Sequence, residues 1–92
     1  MTEKFFPVDL TVAVEKHFSE VDRPRAFEIL ADYAHRFAIL KDLERVRVDM
    51  VIVSRGNVAK LARQAERDYR DVIMDAEYEI REGKVVRRAA LD

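Results

Sequence analysis

The sequence predicts an all-α fold, a compact bundle of four or five helices. Three observations predict it. From Val58 to Ile80, apolar residues recur at Val58, Ala62, Ala65, Tyr69, Val72 and Ala76, spacings of 4, 3, 4, 3 and 4. That period sets one side of a helix against a partner. Only two glycines and two prolines punctuate the 92 residues, too few for the many turns of a sandwich or barrel. Apolar residues make up 49% of the chain, which supplies one modest core and no second one. Residues 1–92 therefore read as a single helical domain, with an extended lead-in over 1–7 and a frayed tail over 84–92.

The lead-in, Met1 to Pro7, carries the adjacent pair Phe5 and Phe6. Neighbouring aromatics do not share a helix face, so one plugs the core edge or both form a sticky arm; scattered surface aromatics favour the first. Asp9 is a candidate N-cap for a first helix running to Ser19 or Glu20. Leu10, Val14, His17 or Phe18, and Val21 follow its period, while Thr11, Val12 and Val14 lower its intrinsic propensity. Asp22-Arg23-Pro24 marks a second helix start, because proline lacks an N–H that would be unpaired there anyway. The helix that follows, to Leu40, is apolar on most sides: Phe27, Ile29, Leu30, Ala31, Tyr33, Ala34, Phe37, Ala38, Ile39 and Leu40. Such a helix is central in its domain or lies at a subunit interface. Phe27, Leu30, Phe37 and Leu40 are the candidate self-association surface.

Asp42 is a candidate cap for a third helix from Leu43 to Ser54. Two periods compete there. Leu43, Val46, Met50 and Val53 keep helical 3-4-3 spacing, while Val46, Val48, Met50 and Ile52 alternate as in a half-buried strand. Helix is the first reading; α+β with a short strand near 46–53 is the alternative. The other place where strands could pair is Tyr78–Ile80 with Val85 and Val86, around Glu82-Gly83. Gly56-Asn57 closes the third helix and opens the next, since glycine suits the left-handed residue past a helix end and asparagine caps the following start. The last helix is expected to run from Val58 to about Glu79.

The run Asp68-Tyr69-Arg70-Asp71-Val72, followed by Ala76-Glu77-Tyr78, resembles the C-terminal part of small all-helical bacterial proteins with no assigned activity. The resemblance extends back to Glu44. It implies helix rather than strand near Val48 and carries no functional residues.

The chemistry implied is sparse. Without cysteine there is no disulfide, thiolate metal site or cysteine nucleophile. His17 and His35 lie outside the His-Glu-x-x-His and Glu-x-x-His spacings that aim ligands from one helix. Asp32 with His35, and His17 with Glu20, read as ordinary surface pairs. Ser19 and Ser54 have no visible base partner, and two glycines cannot build a phosphate loop. No catalytic, metal or cofactor residue is assigned, and the chain is read as not an enzyme. The Met1–Pro7 stretch lacks the apolar core of a secretory leader, and no run approaches the ~18 apolar residues of a membrane span. The expectation is a cytoplasmic protein.

Charge is balanced overall, with 17 basic and 18 acidic residues, but polarised locally. Arg45 to Arg70 holds seven basic and three acidic residues, and Asp71 to Glu82 holds five acidic and one basic. Lys60, Arg63, Arg67 and Arg70 form a basic stripe on the last helix, beside an acidic stripe of Asp68, Asp71, Asp75 and Glu79. A convex helix face spreads such carboxylates apart, which disfavours a metal site. The leading functional expectation is a small protein–protein interaction module, or a homodimer. The alternative is a nucleic-acid-binding regulator using a helix-turn-helix-like segment over 43–70, with the basic stripe on phosphates. The neighbouring acidic stripe counts against it, as does Gln64 being the lone candidate base reader.

Overall fold

The computed structural model describes residues 8–88. It contains α1 (Val8–His17), α2 (Arg23–Arg36), α3 (Leu43–Ser54), α4 (Val58–Asp71), a 3₁₀ turn (Val72–Met74), and strands β1 (Tyr78–Arg81) and β2 (Lys84–Arg87). The fold is all-α with one small antiparallel hairpin. Helix α1 packs against α3, α2 packs against α4, and α3 also touches α4. Leu10, Val14 and Phe18 bring α1 into a core shared with Leu30, Tyr33 and Phe37 of the α2 segment, Val51 of α3 and Leu61 of α4. The lead-in with Phe5 and Phe6 lies outside the described residues.

The corner between α1 and α2 is held by one arginine. Arg23 donates to the carbonyls of Phe18 (3.2 Å) and Glu15 (3.0 Å), satisfying acceptors that a helix end leaves open. Pro24 sits in the first turn of α2, as its missing N–H allows. Asp22 caps through its backbone carbonyl, bonded by the Ala26 N–H at 3.0 Å, while its carboxylate accepts from Ser19 Oγ.

The turn between α3 and α4 follows its residues closely. Arg55 and Gly56 both take left-handed conformations, with φ of 51° and 78°, and Asn57 then caps α4 by accepting the Lys60 N–H at 3.0 Å. Gly56 is doubly constrained: a Cβ there would stand 2.5 Å from the carbonyl oxygen of His17. The turn is thus pressed onto the end of α1.

The contested 46–53 segment is helix, as first read: it lies within α3 and packs against α1 and α4. Three expectations are corrected. The helix that begins at Arg23 stops at Arg36, short of Leu40, with Phe37 closing it by an N–H bond to the Tyr33 carbonyl. Helix α4 ends at Asp71, not near Glu79. The chain tightens over Val72–Met74, and the Asp75 carboxylate accepts the Glu77 N–H at 2.6 Å, a local turn that competes with further helix. Finally, Lys84–Arg87 is a paired strand, not a frayed tail; residues 89–92 lie outside the described residues. Glu82 and Gly83 both have positive φ, 54° and 78°, the pattern of a two-residue hairpin turn. Val85 is then buried in the core with Tyr78 and Ile80 packed against it. Burial of these apolar residues outweighs the helical preference of Ala76 and Glu77.

Candidate functional site

Helix α4 divides cleanly. Leu61 is fully buried, and Ala62, Ala65 and Tyr69 pack against the core beside it. At 100° per residue, Lys60, Arg63, Arg67 and Arg70 fall within about 80° of arc opposite that buried side. All four are exposed, and none makes an ion pair among the described residues. The basic stripe expected from the sequence is therefore a real surface.

The acidic stripe beside it is not. Ending α4 at Asp71 removes Asp75 and Glu79 from the helix: Asp75 closes its local turn, and Glu79 on β1 pairs with Arg81 at 2.6 Å. Asp68 turns inward. It accepts the Tyr33 hydroxyl at 2.9 Å and Gln64 Nε2 at 2.8 Å. Burial, and then the bond and charge of Asp68, push the Tyr33 phenol well above its ordinary range. Only Asp71 and Glu66 remain exposed on this helix, with Glu66 lying 3.9 Å from Arg36. Gln64, the one candidate base reader, is occupied by Asp68.

Two shallow clefts join the α4 face to α3. One, of about 260 Å³, is lined by Val46, Asp49, Met50, Val53, Gln64 and Asp68. The other, of about 250 Å³, continues past Val53 to Lys60, Arg63 and Arg67. Val53, which lines both, is 67% exposed. The result is a strip of apolar α3 surface bordered by free guanidinium groups of α4.

The proposed self-association residues do not form a surface. Leu30 and Phe37 are buried, while Phe27 and Leu40 are half-buried against the same core. Tyr33 and Phe37 stack with centroids 4.3 Å apart, and Phe37 meets the Tyr69 ring edge-on at 6.3 Å. The α2 helix is apolar on several sides because α1, α4 and β2 all pack on it. Of the two explanations for such a helix, central packing accounts for these four residues.

Sequence reasoning missed Arg47, counted among the surface charges but 0% exposed. Its guanidinium donates to the Leu30 carbonyl at 3.0 Å and to both oxygens of Glu44, at 2.7 and 3.0 Å. Nε has no partner. The spacing Glu44 to Arg47 was the available signal, since charges three apart on a helix can pair. Asp32, for its part, pairs with Arg36 at 3.1 Å rather than with His35.

His17 ends α1 and His35 lies exposed near the end of α2. Among the described residues, no group of three or more His, Cys, Asp and Glu side chains is arranged to hold a metal ion. No helix there is long and apolar enough to cross a membrane. Compared with known proteins, the chain matches no family model, no curated protein and no solved structure.

Proposed function

We propose that this chain is a small non-enzymatic binding module, and that it engages an acidic, partly apolar segment of a protein partner along the α3–α4 face. The observation that carries this reading is the row of four cations on α4 with no ion pair among the described residues, set beside the exposed Val53. Unpaired guanidinium groups beside an apolar strip suit a segment that alternates carboxylates with aliphatic side chains. The apolar contact supplies affinity, and the rim charges supply approach rate and orientation. Asp49 and Asp71 at the margins favour a partner of mixed character over a uniformly anionic one.

A second reading, binding to a nucleic-acid backbone, is favoured by one observation. The carboxylates expected to repel phosphate are mostly engaged within the chain or off the helix. It has less support because Gln64 is occupied, and because Val53 has no role against phosphate.

The experiment is affinity capture from native cells, with and without nuclease digestion, at low and moderate salt. The protein-partner reading expects a protein that survives nuclease and is lost from both the Val53→Asp and the Arg63→Glu/Arg67→Glu variants. Each change should weaken retention by about tenfold or more. Retention of nucleic acid that falls steeply with salt and ignores Val53→Asp would overturn it in favour of the second reading.

A further inference from the structure

The hairpin has one edge that repels its own copy and one that matches it. The Arg88 N–H bonds the Glu77 carbonyl at 2.7 Å, and the register pairs Tyr78 with Arg87, Glu79 with Val86, Ile80 with Val85 and Arg81 with Lys84. Hydrogen-bonded and non-bonded pairs alternate along an antiparallel ladder. Glu77, Glu79 and Arg81 therefore bond toward β2, and Tyr78 and Ile80 present their backbone groups outward. The Tyr78 carbonyl is taken by the Arg88 guanidinium at 3.1 Å. Among the described residues nothing bonds the outward N–H or C=O of Ile80. An open strand edge of this kind is a template for another strand.

The charges on the two strands differ. Strand β2 and the residue after it carry Lys84, Arg87 and Arg88 with no carboxylate. Two such edges brought together would oppose like charges, the usual protection of an edge. Strand β1 carries Glu79 and Arg81, one residue either side of Ile80. Antiparallel pairing of β1 with itself about Ile80 sets Glu79 of each copy opposite Arg81 of the other, twice by symmetry. The two Ile80 residues exchange their outward N–H and C=O groups, and their side chains meet on the face that already packs against the core. The Arg81–Glu79 pair within each chain, at 2.6 Å, becomes part of an alternating four-charge row.

We propose that β1 is a homodimerisation edge: two copies join through antiparallel β1–β1 pairing centred on Ile80, forming a four-stranded sheet. The arrangement is closed and two-fold, since each residue meets its counterpart's complement. It uses a surface separate from the α4 face and leaves both α4 faces of the dimer free. A strand this short makes a small contact, so the dimer belongs to the weak, exchanging class.

Sedimentation velocity over a concentration series up to about 1 mM tests this, a range that captures weak association. The wild type should pass from monomer to dimer. Glu79→Arg alone, or Arg81→Glu alone, places like charges opposite each other and should raise the dimer dissociation constant about tenfold. The double swap Glu79→Arg/Arg81→Glu restores both pairs and should restore dimerisation. Arg81 is exposed and Glu79 is half-buried on the face opposite Ile80, and circular dichroism spectra and thermal melts check that each variant folds. A wild type that stays monomeric throughout would overturn the proposal, as would a dimer indifferent to the single reversals. A dimer lost in Arg63→Glu/Arg67→Glu but kept in Glu79→Arg would move self-association to the α4 face. It would overturn this inference while leaving the binding role of that face intact.

Discussion

Helices α3 and α4 are neighbours joined by a three-residue turn, yet α3 buries one of its two arginines while α4 exposes all three of its own. Helix α3 hides Arg47 and exposes Ile52 and Val53; α4 buries Leu61 and exposes Arg63, Arg67 and Arg70. The difference lies in what each side chain meets. Arg47 reaches an acceptor on α2 and a carboxylate one turn earlier on its own helix. The arginines of α4 meet no such groups. A buried guanidinium is retained only where hydrogen bonds compensate its lost hydration, so Arg47 reads as a structural strut. Cations left without partners at the surface cost nothing to fold and remain available for binding.

The largest expected effect comes from emptying the strut. Arg47→Ala leaves a cavity between α2 and α3, and should lower unfolding free energy by about 3 kcal/mol in urea titrations. Arg47→Met keeps most of the volume and removes the unpartnered Nε, so its loss should be below about 1 kcal/mol. A methionine variant as unstable as the alanine one would show that the hydrogen bonds, not the volume, hold this site.

The turn that sets the two helices against each other comes next. Gly56→Ala meets both a positive φ and the His17 carbonyl, and should cost about 2 kcal/mol in the same titration. Asn57→Ala, which removes the cap on Lys60 N–H, should cost about 1 kcal/mol. Arg63→Ala and Arg67→Ala should leave the melting temperature unchanged. Any clear loss there would mean that these residues support the fold, and would collapse the contrast between the helices.

The smallest effect concerns pH. Below about pH 10, the ordinary tyrosine value, the phenol of Tyr33 is neutral folded and unfolded and adds no slope. As pH rises past that value the unfolded chain releases the proton while folded Tyr33 retains it. The folded state then binds more protons, so stability falls as pH rises. In denaturant titrations between pH 9 and 11, Tyr33→Phe should flatten this decline relative to the parent.

How much of this was legible in the sequence depended on whether polarity and burial agreed. In α4 they agree, and the period from Val58 to Tyr69 located both its buried side and the basic face. In α3 they disagree. The apolar spacing of Leu43, Val46, Met50 and Val53 pointed to one face, but the buried residues are Arg47, Met50, Val51 and Ser54. Ser54 is buried because its hydroxyl bonds the Val51 carbonyl at 2.7 Å. Periodicity counts apolar residues and cannot register a paired polar one. The hairpin was visible as a possible partner pair around Glu82-Gly83, but continued helical phase through Val72 and Ala76 obscured it. Asp75 and the two left-handed residues at 82 and 83 were the local signals that outweighed that phase. The apolar excess of α2 pointed equally to a core or an interface; the packing partners that separate them lie far along the chain.

The most direct test of the central claim, that the free cations of α4 are the binding set, is native mass spectrometry. The protein would be purified gently from its native cells, wild type beside Arg63→Glu/Arg67→Glu. The account predicts additional protein mass retained by the wild type and lost from the variant, with thermal melts of the two superimposable. Equal retention by both would contradict it, as would retention of nucleic acid in place of protein.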